Sequence, residues 1–143
     1  MKEPTVSETY LLFRSGDRTL ALPTRQARQV LPLGQVAPLP ASGGSLLGLA
    51  GALGRAVPVV NLAAMLGAAP ARPQDDGSVL GLLCEDGGET LLLPIDEVIG
   101  SASAEHAPGP AALLTDLEFG RHAAGLLGLG ALIAAIGGRL QSV

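Results

Sequence analysis

A chain of 143 residues has room for one domain, or two very small modules sharing a core, and folding a chain of this size buries roughly 70% of its surface. Hydrophobic residues make up 48% and aromatics only 2%, Tyr10, Phe13 and Phe119, so the core must be built from Leu, Val and Ala. A net charge of −4 with no basic cluster excludes the phosphate neutralisation and base stacking on which nucleic-acid binding rests.

The first residues, "MKEPTVSETYLLF", place acids and a proline where a secretory signal would need an apolar run, so no signal peptide is predicted. Thr9 to Pro23 predicts a hairpin: two short β-type runs around the polar turn Ser15-Gly16-Asp17-Arg18. After it, "TRQARQVLP" opens on Thr24 as a cap and predicts a helical stretch ending at Pro32. The glycine-rich "GGSLLGLAGALG" lacks the Lys-Ser/Thr that would close a phosphate loop after Gly48. Its Gly44-x-x-x-Gly48 spacing lacks the flanks of a membrane-packing helix. Within "LGLAGALGRAVPVVNL", Pro58 predicts an edge or irregular strand position. Val59 to Leu66 then reads as a strand running into a short helix.

A loop rich in Pro, Ala and Asp, Gly67 to Ser78, divides the chain. Beyond it the opening pattern returns. "LLFRSGDRTLALP" from Leu11 and "LLCEDGGETLLLP" from Leu82 coincide at seven of thirteen positions, with Gly16 aligned to Gly87, Thr19 to Thr90 and Pro23 to Pro94. This is the signature of an internal duplication. "IDEVIG" after Pro94 predicts a turn, and Leu126 to Ile133 repeats the strand-to-helix pattern of Val59 to Leu66. The uncharged run Ala123 to Gly138 stops at sixteen residues, short of the ~20 that span a bilayer. Direct membrane insertion is not expected. Short strands about ten residues apart predict small barrels or sandwiches. Runs such as "VPVV" and "TLLLP", which do not alternate, predict strands covered on both faces where the halves meet.

Catalytic chemistry finds no footing. His106 and His122 lack the paired cysteines of a zinc site, and Glu105 and Glu118 near them fall in loop-like sequence. Ser42 has no nucleophile elbow, and the lone Cys84 sits in the apolar "VLGLLCED" as a small core residue, as expected in a reducing cytoplasm. Asp96 and Glu97 are adjacent, so their side chains diverge, and they read as a solvated turn. No cofactor and no metal are expected. Abundant apolar surface without a polar constellation points to a binding module.

These residues resemble a known family, the CheW-like domains of chemotaxis coupling proteins. "YLLFRSGDRTLALPTRQARQVLPLGQVAPLP" is similar to the family's opening hairpin, helix and Leu-Pro loop. "LLGLAGALGRAVPVVNLAAMLG" is similar to its central Arg-Gly and Val-Pro-hydrophobic-hydrophobic-Asp-Leu segment, and "LLLPIDEVIG" to its second-half Val-Asp-x-Val signature. The resemblance implies a mainly β fold, two intertwined five-stranded SH3-like barrels sharing a hydrophobic core with short helices. It implies a single domain over 1–143, with halves at 9–66 and 78–140 joined by loop 67–77. It also implies a non-enzymatic cytoplasmic adaptor, peripheral to membrane receptor arrays, that links the regulatory domain of a CheA-type histidine kinase to the cytoplasmic tip of chemoreceptors.

By that resemblance the partner-binding residues are Ala27, Gln29, Val30, Leu47, Gly48, Leu49, Leu53, Gly54, Arg55 and Asn61, with a receptor-like helix in one groove near Ala27, Val30 and Leu47 to Leu53. The sequence departs from its relatives at three of them. Leu53 stands where an arginine is usual, Gln29 where a glutamate is, and Asn61 where an aspartate is. Either the adaptor has altered specificity, for instance in a pilus-motility system, or the fold persists as a structural module capable of self-association.

Overall fold

In the computed structural model residues 6–38, 44–106, 112–119 and 122–141 are described. The strands are β1 (Val6–Ser15), β2 (Arg18–Pro23), β3 (Ala27–Leu33), β4 (Leu46–Ala52), β5 (Arg55–Val60), β6 (Val79–Asp86), β7 (Glu89–Ile95), β8 (Glu97–His106), β9 (Leu114–Phe119) and β10 (His122–Leu127); α1 (Leu62–Leu66) follows β5 and α2 (Leu129–Gln141) follows β10. They form two five-stranded sheets, ordered β8-β1-β2-β10-β9 and β3-β6-β7-β5-β4.

The duplicated motif explains this order. Each copy forms a hairpin, β1–β2 and β6–β7, and each hairpin's second strand is joined in parallel by the strand that precedes a helix, β10 on β2 and β5 on β7. Replacing each strand of one copy by its counterpart turns one sheet order into the other. The strand after each hairpin does not stay with it: β3 pairs with β6, and β8 with β1. Both sheets therefore draw strands from each side of the 67–77 loop.

Two expected elements are different in the structure. Thr24 to Leu31, expected as a helix, makes only a short turn, with Gln26 N–H donating to Pro23 O and Ala27 N–H to Thr24 O, and continues as the strand β3. Its apolar residues Leu31 and Leu33 pack on the β4–β5 cluster, a period of two. Pro32 is tolerated because β3 is an edge strand. The segment from Glu97, expected as part of a turn, is the ten-residue strand β8 along β1, where the β-branched Val98 and Ile99 suit extended backbone. Tertiary pairing overrode local signals at both places.

Pro58 is also not on an edge, since β5 lies between β7 and β4. Leu49 exchanges both of its backbone hydrogen bonds with Ala37, at 2.8 Å each, so its pairing with Pro58 is not hydrogen-bonded. The donorless nitrogen of Pro58 therefore faces β7, where only Val59↔Leu92 is in register. The same Ala37↔Leu49 bridge joins the segment after β3 to β4, bringing the two edges of that sheet together. In the other sheet the edges β8 and β9 also come into contact.

The non-alternating leucine runs are covered on both faces. Leu82, Leu91 and Leu93 point into a cluster shared by both sheets and both helices, with Phe13, Leu22, Leu127 and Leu132, while their neighbours Leu83 and Leu92 point the other way onto Ala50, Val57 and Val59. A third cluster, Tyr10, Leu12, Ala21, Phe119 and Ala124, fills the first sheet's other face, with Tyr10 and Phe119 edge-to-face at 5.3 Å. With so few rings, the core is built from leucine at strand period two. Among the described residues no helix is long and apolar enough to cross a membrane.

Candidate partner-binding surfaces

All ten candidate residues lie on the strands of the second sheet or on the segments flanking them, and seven of them line three hollows among the described residues, while Gly48, Leu49 and Gly54 line none of these. Ala27, Gln29 and Val30 line a hollow of about 320 Å³ where β3 of one sheet faces the start of β8 of the other, with Leu11, Leu82 and Val98. Val30 and Val98 are 39% and 41% exposed on its sides. A register shift between Ala27 and Gln29 makes Arg28 an extra residue on this edge, and its guanidinium reaches Glu85 at 3.3 Å.

Leu53 and Arg55 line a second hollow of about 340 Å³ with Arg28, Ala52, Val57, Leu83, Glu85 and Thr90. They belong to the β4–β5 hairpin, whose two-residue turn Leu53-Gly54 joins the pair Ala52↔Arg55. Both turn residues have positive φ, 52° and 75°. That geometry matches the twist of a hairpin and favours Asn-Gly or Asp-Gly, and a leucine in it is strained by about 1 kcal/mol. Leu47 and Asn61 line a third hollow of about 330 Å³, under the 67–77 loop, with Leu33, Val36, Leu62 and Val79.

Local structure accounts for several of the ten. Asn61 is the N-cap of α1, its side-chain oxygen accepting from Ala64 N–H at 3.2 Å, a role an aspartate would also fill. Gly48 sits at a register shift with φ 149°, pressed against the backbone of Ala37. Leu49 carries the Ala37 bridge.

The residue that sequence reasoning missed is Asp96. It is no solvated turn residue: it is 5% exposed, and its Oδ1 accepts from Gly16 N–H at 2.9 Å and Arg72 N–H at 2.8 Å. Its Oδ2 has no hydrogen-bond donor but faces Arg14 Nε at 3.6 Å, while the same guanidinium reaches Glu97 at 2.9 Å. Gln74 Nε2 donates to Asp96 O, Asp96 N–H donates to Arg14 O, and Ser15 Oγ–H donates to Pro94 O. One carboxylate thus fastens the β1–β2 turn, the 67–77 loop and the β7–β8 junction. The available signal was the resemblance of "PIDEV" to the family's Val-Asp-x-Val.

Among the described residues no reactive constellation is assembled. Burial pushes the Cys84 thiol far above its ordinary range, which makes it a poor nucleophile. Burial, then the nearby Glu8 carboxylate, also raises the Tyr10 phenol. Among the described residues no group of His, Cys, Asp and Glu could hold a metal. Ser42 lies outside the described residues, as do the side chains of Glu105, His106 and His122.

These two raised groups set an alkaline limit. Each keeps its proton longer folded than unfolded, so the stability they contribute is complete below the unfolded value and is lost as pH rises through it toward the folded one. Stability is expected to fall from about pH 9 upward, the free-thiol value, by up to about 1.4 kcal/mol per pH unit for the thiol. Urea midpoints at pH 8 and 10 check this, and Cys84→Ala should flatten the slope. Equal slopes in the two proteins would assign the loss elsewhere.

Two five-stranded β-sheets that share an apolar cluster between them, each with a further cluster on its other face, define a mainly β fold of the double-barrel type. The sequence matches the CheW-like domain family over residues 9–127, and the chain belongs to that family. Among solved structures it is similar to the scaffolding protein TtCheW from Thermoanaerobacter tengcongensis, with a TM-score of 0.72 and 14% identity, over 89% of this chain and 88% of that one. No curated protein sequence matches it.

Proposed function

We propose that this chain is a non-enzymatic adaptor of chemosensory signalling. It couples a CheA-type histidine kinase, through the kinase's regulatory domain, to the cytoplasmic tip of chemoreceptors, working in the cytoplasm beside membrane receptor arrays. Family membership supports the class. The observation that carries the reading is the hollow between β3 and β8. The core of both sheets is closed, yet Val30 and Val98 on facing edges of different sheets are left uncovered around it.

An apolar trough between two rigid sheets suits the apolar face of a partner helix, with Gln29 and Arg28 at its rim supplying orientation rather than most of the affinity. With Gln29 in place of the family glutamate, position 29 carries no negative charge, so the partner of this adaptor is not selected through a cation at that point.

Calorimetric titration against the kinase regulatory domain and a receptor cytoplasmic fragment from the same genome tests the proposal. Binding to at least one is expected. Val30→Glu, at an exposed position, should weaken it by about tenfold or more with an unchanged melting temperature. Binding to neither fragment, with light scattering showing self-association that grows with concentration, would replace the adaptor by a structural module.

A further inference from the structure

The hollow beneath the 67–77 loop has a roof held chiefly by polar contacts. Pro70, Ala71 and Gly77 of the loop form its wall together with the apolar Leu33, Val36 and Leu62, yet no residue from 67 to 77 is itself buried. Among the described residues three hydrogen bonds tie the loop to the two sheets and their turns, and two aspartates accept them all. Ala69 N–H donates to Asp17 Oδ1 at 3.1 Å, Arg72 N–H to Asp96 Oδ1 at 2.8 Å and Gln74 Nε2 to the Asp96 carbonyl at 2.8 Å. The loop's remaining backbone bonds close on itself and its flanks: Ala68 N–H donates to Ala63 O in α1, Gln74 N–H to Ser78 O and Gly77 N–H to Gln74 O.

Backbone stiffness is distributed in the same sense. Gly67 and Gly77, the two ends, take positive φ of 63° and 87° with nothing within 4 Å of an added Cβ, while Pro70 and Pro73 fix the backbone between them. A stiff segment thus hangs between two permissive ends. Its main fastening is also incomplete: the buried Asp96 Oδ2 has no hydrogen-bond donor and only the Arg14 guanidinium at 3.6 Å. Lifting the loop admits water to that oxygen, which offsets part of the bonds lost, so opening costs far less than unfolding the sheets. The repeat shows that the strand junction does not itself need this carboxylate. Two residues after the aligned Pro23 and Pro94, the first copy has Arg25 where the second has Asp96, and Arg25 is exposed and paired with Glu8 at 2.6 Å.

We propose that residues 67–77 are a strap that opens and closes over the hollow as one body, hinged at Gly67 and Gly77 and latched by Asp17 and Asp96, while both sheets stay folded. Closed, the strap withholds the apolar floor around Leu62 from solvent, and open, it presents that floor. The device belongs to the fold, so the outcome of the kinase and receptor titrations does not bear on it.

Native-state amide exchange over a series of low urea concentrations tests the strap, with Asp17→Ala as the probe because Asp17 bonds Ala69 and not Arg72. In the parent, the Ala69 and Arg72 amides should open together, without response to low urea, and exchange at least about a hundredfold faster than Leu82 and Leu83 in β6. Asp17→Ala should speed both by about tenfold or more, and Asp17→Asn, which keeps an acceptor oxygen, should restore both. Gln74→Ala, which cuts the bond to the Asp96 carbonyl at an exposed residue, should speed Ala69 in the same way without touching the β1–β2 turn. Fluorescence of an anilinonaphthalene sulfonate dye should rise in Asp17→Ala and Gln74→Ala as the apolar floor is uncovered. Acceleration confined to the amide whose own bond was cut, exchange of Arg72 only through global unfolding, or faster exchange with no rise in dye fluorescence overturns the proposal.

Discussion

Asp96→Ala is expected to lower the unfolding free energy by about 3 kcal/mol, seen as a shift of the urea midpoint at constant m. The carboxylate is 5% exposed and its Oδ1 is the acceptor for two backbone N–H groups, of Gly16 and Arg72. Alanine leaves both donors without their protein acceptor, at roughly 1–3 kcal/mol each. It also leaves Arg14 with Glu97 alone. Asp96→Asn separates the contributions: its amide oxygen can still accept from Gly16 and Arg72, so the loss should be about half as large. If alanine costs no more than asparagine, the two backbone donors are not what the carboxylate holds. Amide exchange should also rise in the 67–77 loop, whose Arg72 is fastened by that carboxylate and whose Gln74 is fastened by the Asp96 carbonyl.

Gly48→Ala should cost about as much, by a different mechanism. The backbone there has φ 149°, and an added Cβ would lie 2.1 Å from Ala37 O and 2.9 Å from Val36 Cγ1. A carbonyl oxygen at that distance cannot yield as a flexible side chain would. Ala37 must withdraw, and with it the two 2.8 Å hydrogen bonds to Leu49 that close the sheet. Combining backbone strain with the lost bridge gives about 3 kcal/mol or more. Gly51, three residues along the same strand, has nothing within 4 Å of its added Cβ. Gly51→Ala should therefore be neutral or slightly stabilising, by up to about 1 kcal/mol. Equal effects at the two positions would contradict the close approach of Ala37.

The same residue type at two positions of one strand thus has opposite expected consequences, and nothing in "LLGLAGALG" distinguishes them. Gly48 is constrained by a residue eleven positions earlier, which reaches it only because β3 leaves its own hairpin to join β6. Leu53, a turn residue, and Arg55, the first residue of β5, were legible only as candidates carried over from the family resemblance. Their hollow was not, since Leu83 and Thr90 on its walls come from the other copy of the repeat. The candidates near β3 and those of the β4–β5 hairpin line separate hollows that share Arg28, which stands on the walls of both.

By itself the sequence determined the hairpins, the strand-to-helix joints at Asn61 and Gly128, the leucine-built core and the duplication, because each depends on spacing between near neighbours. Turn residues, caps and strand periodicity act over a few positions and leave their mark there. Only the tertiary structure decided that Thr24 to Leu31 is extended, that Pro58 lies inside a sheet, and that Asp96 is a buried fastening for three loops. In each case the outcome depends on hydrogen-bond partners between twelve and eighty-two residues apart in sequence. A backbone donor or a buried carboxylate must be paired wherever its partner comes from, and that requirement is stronger than any local preference.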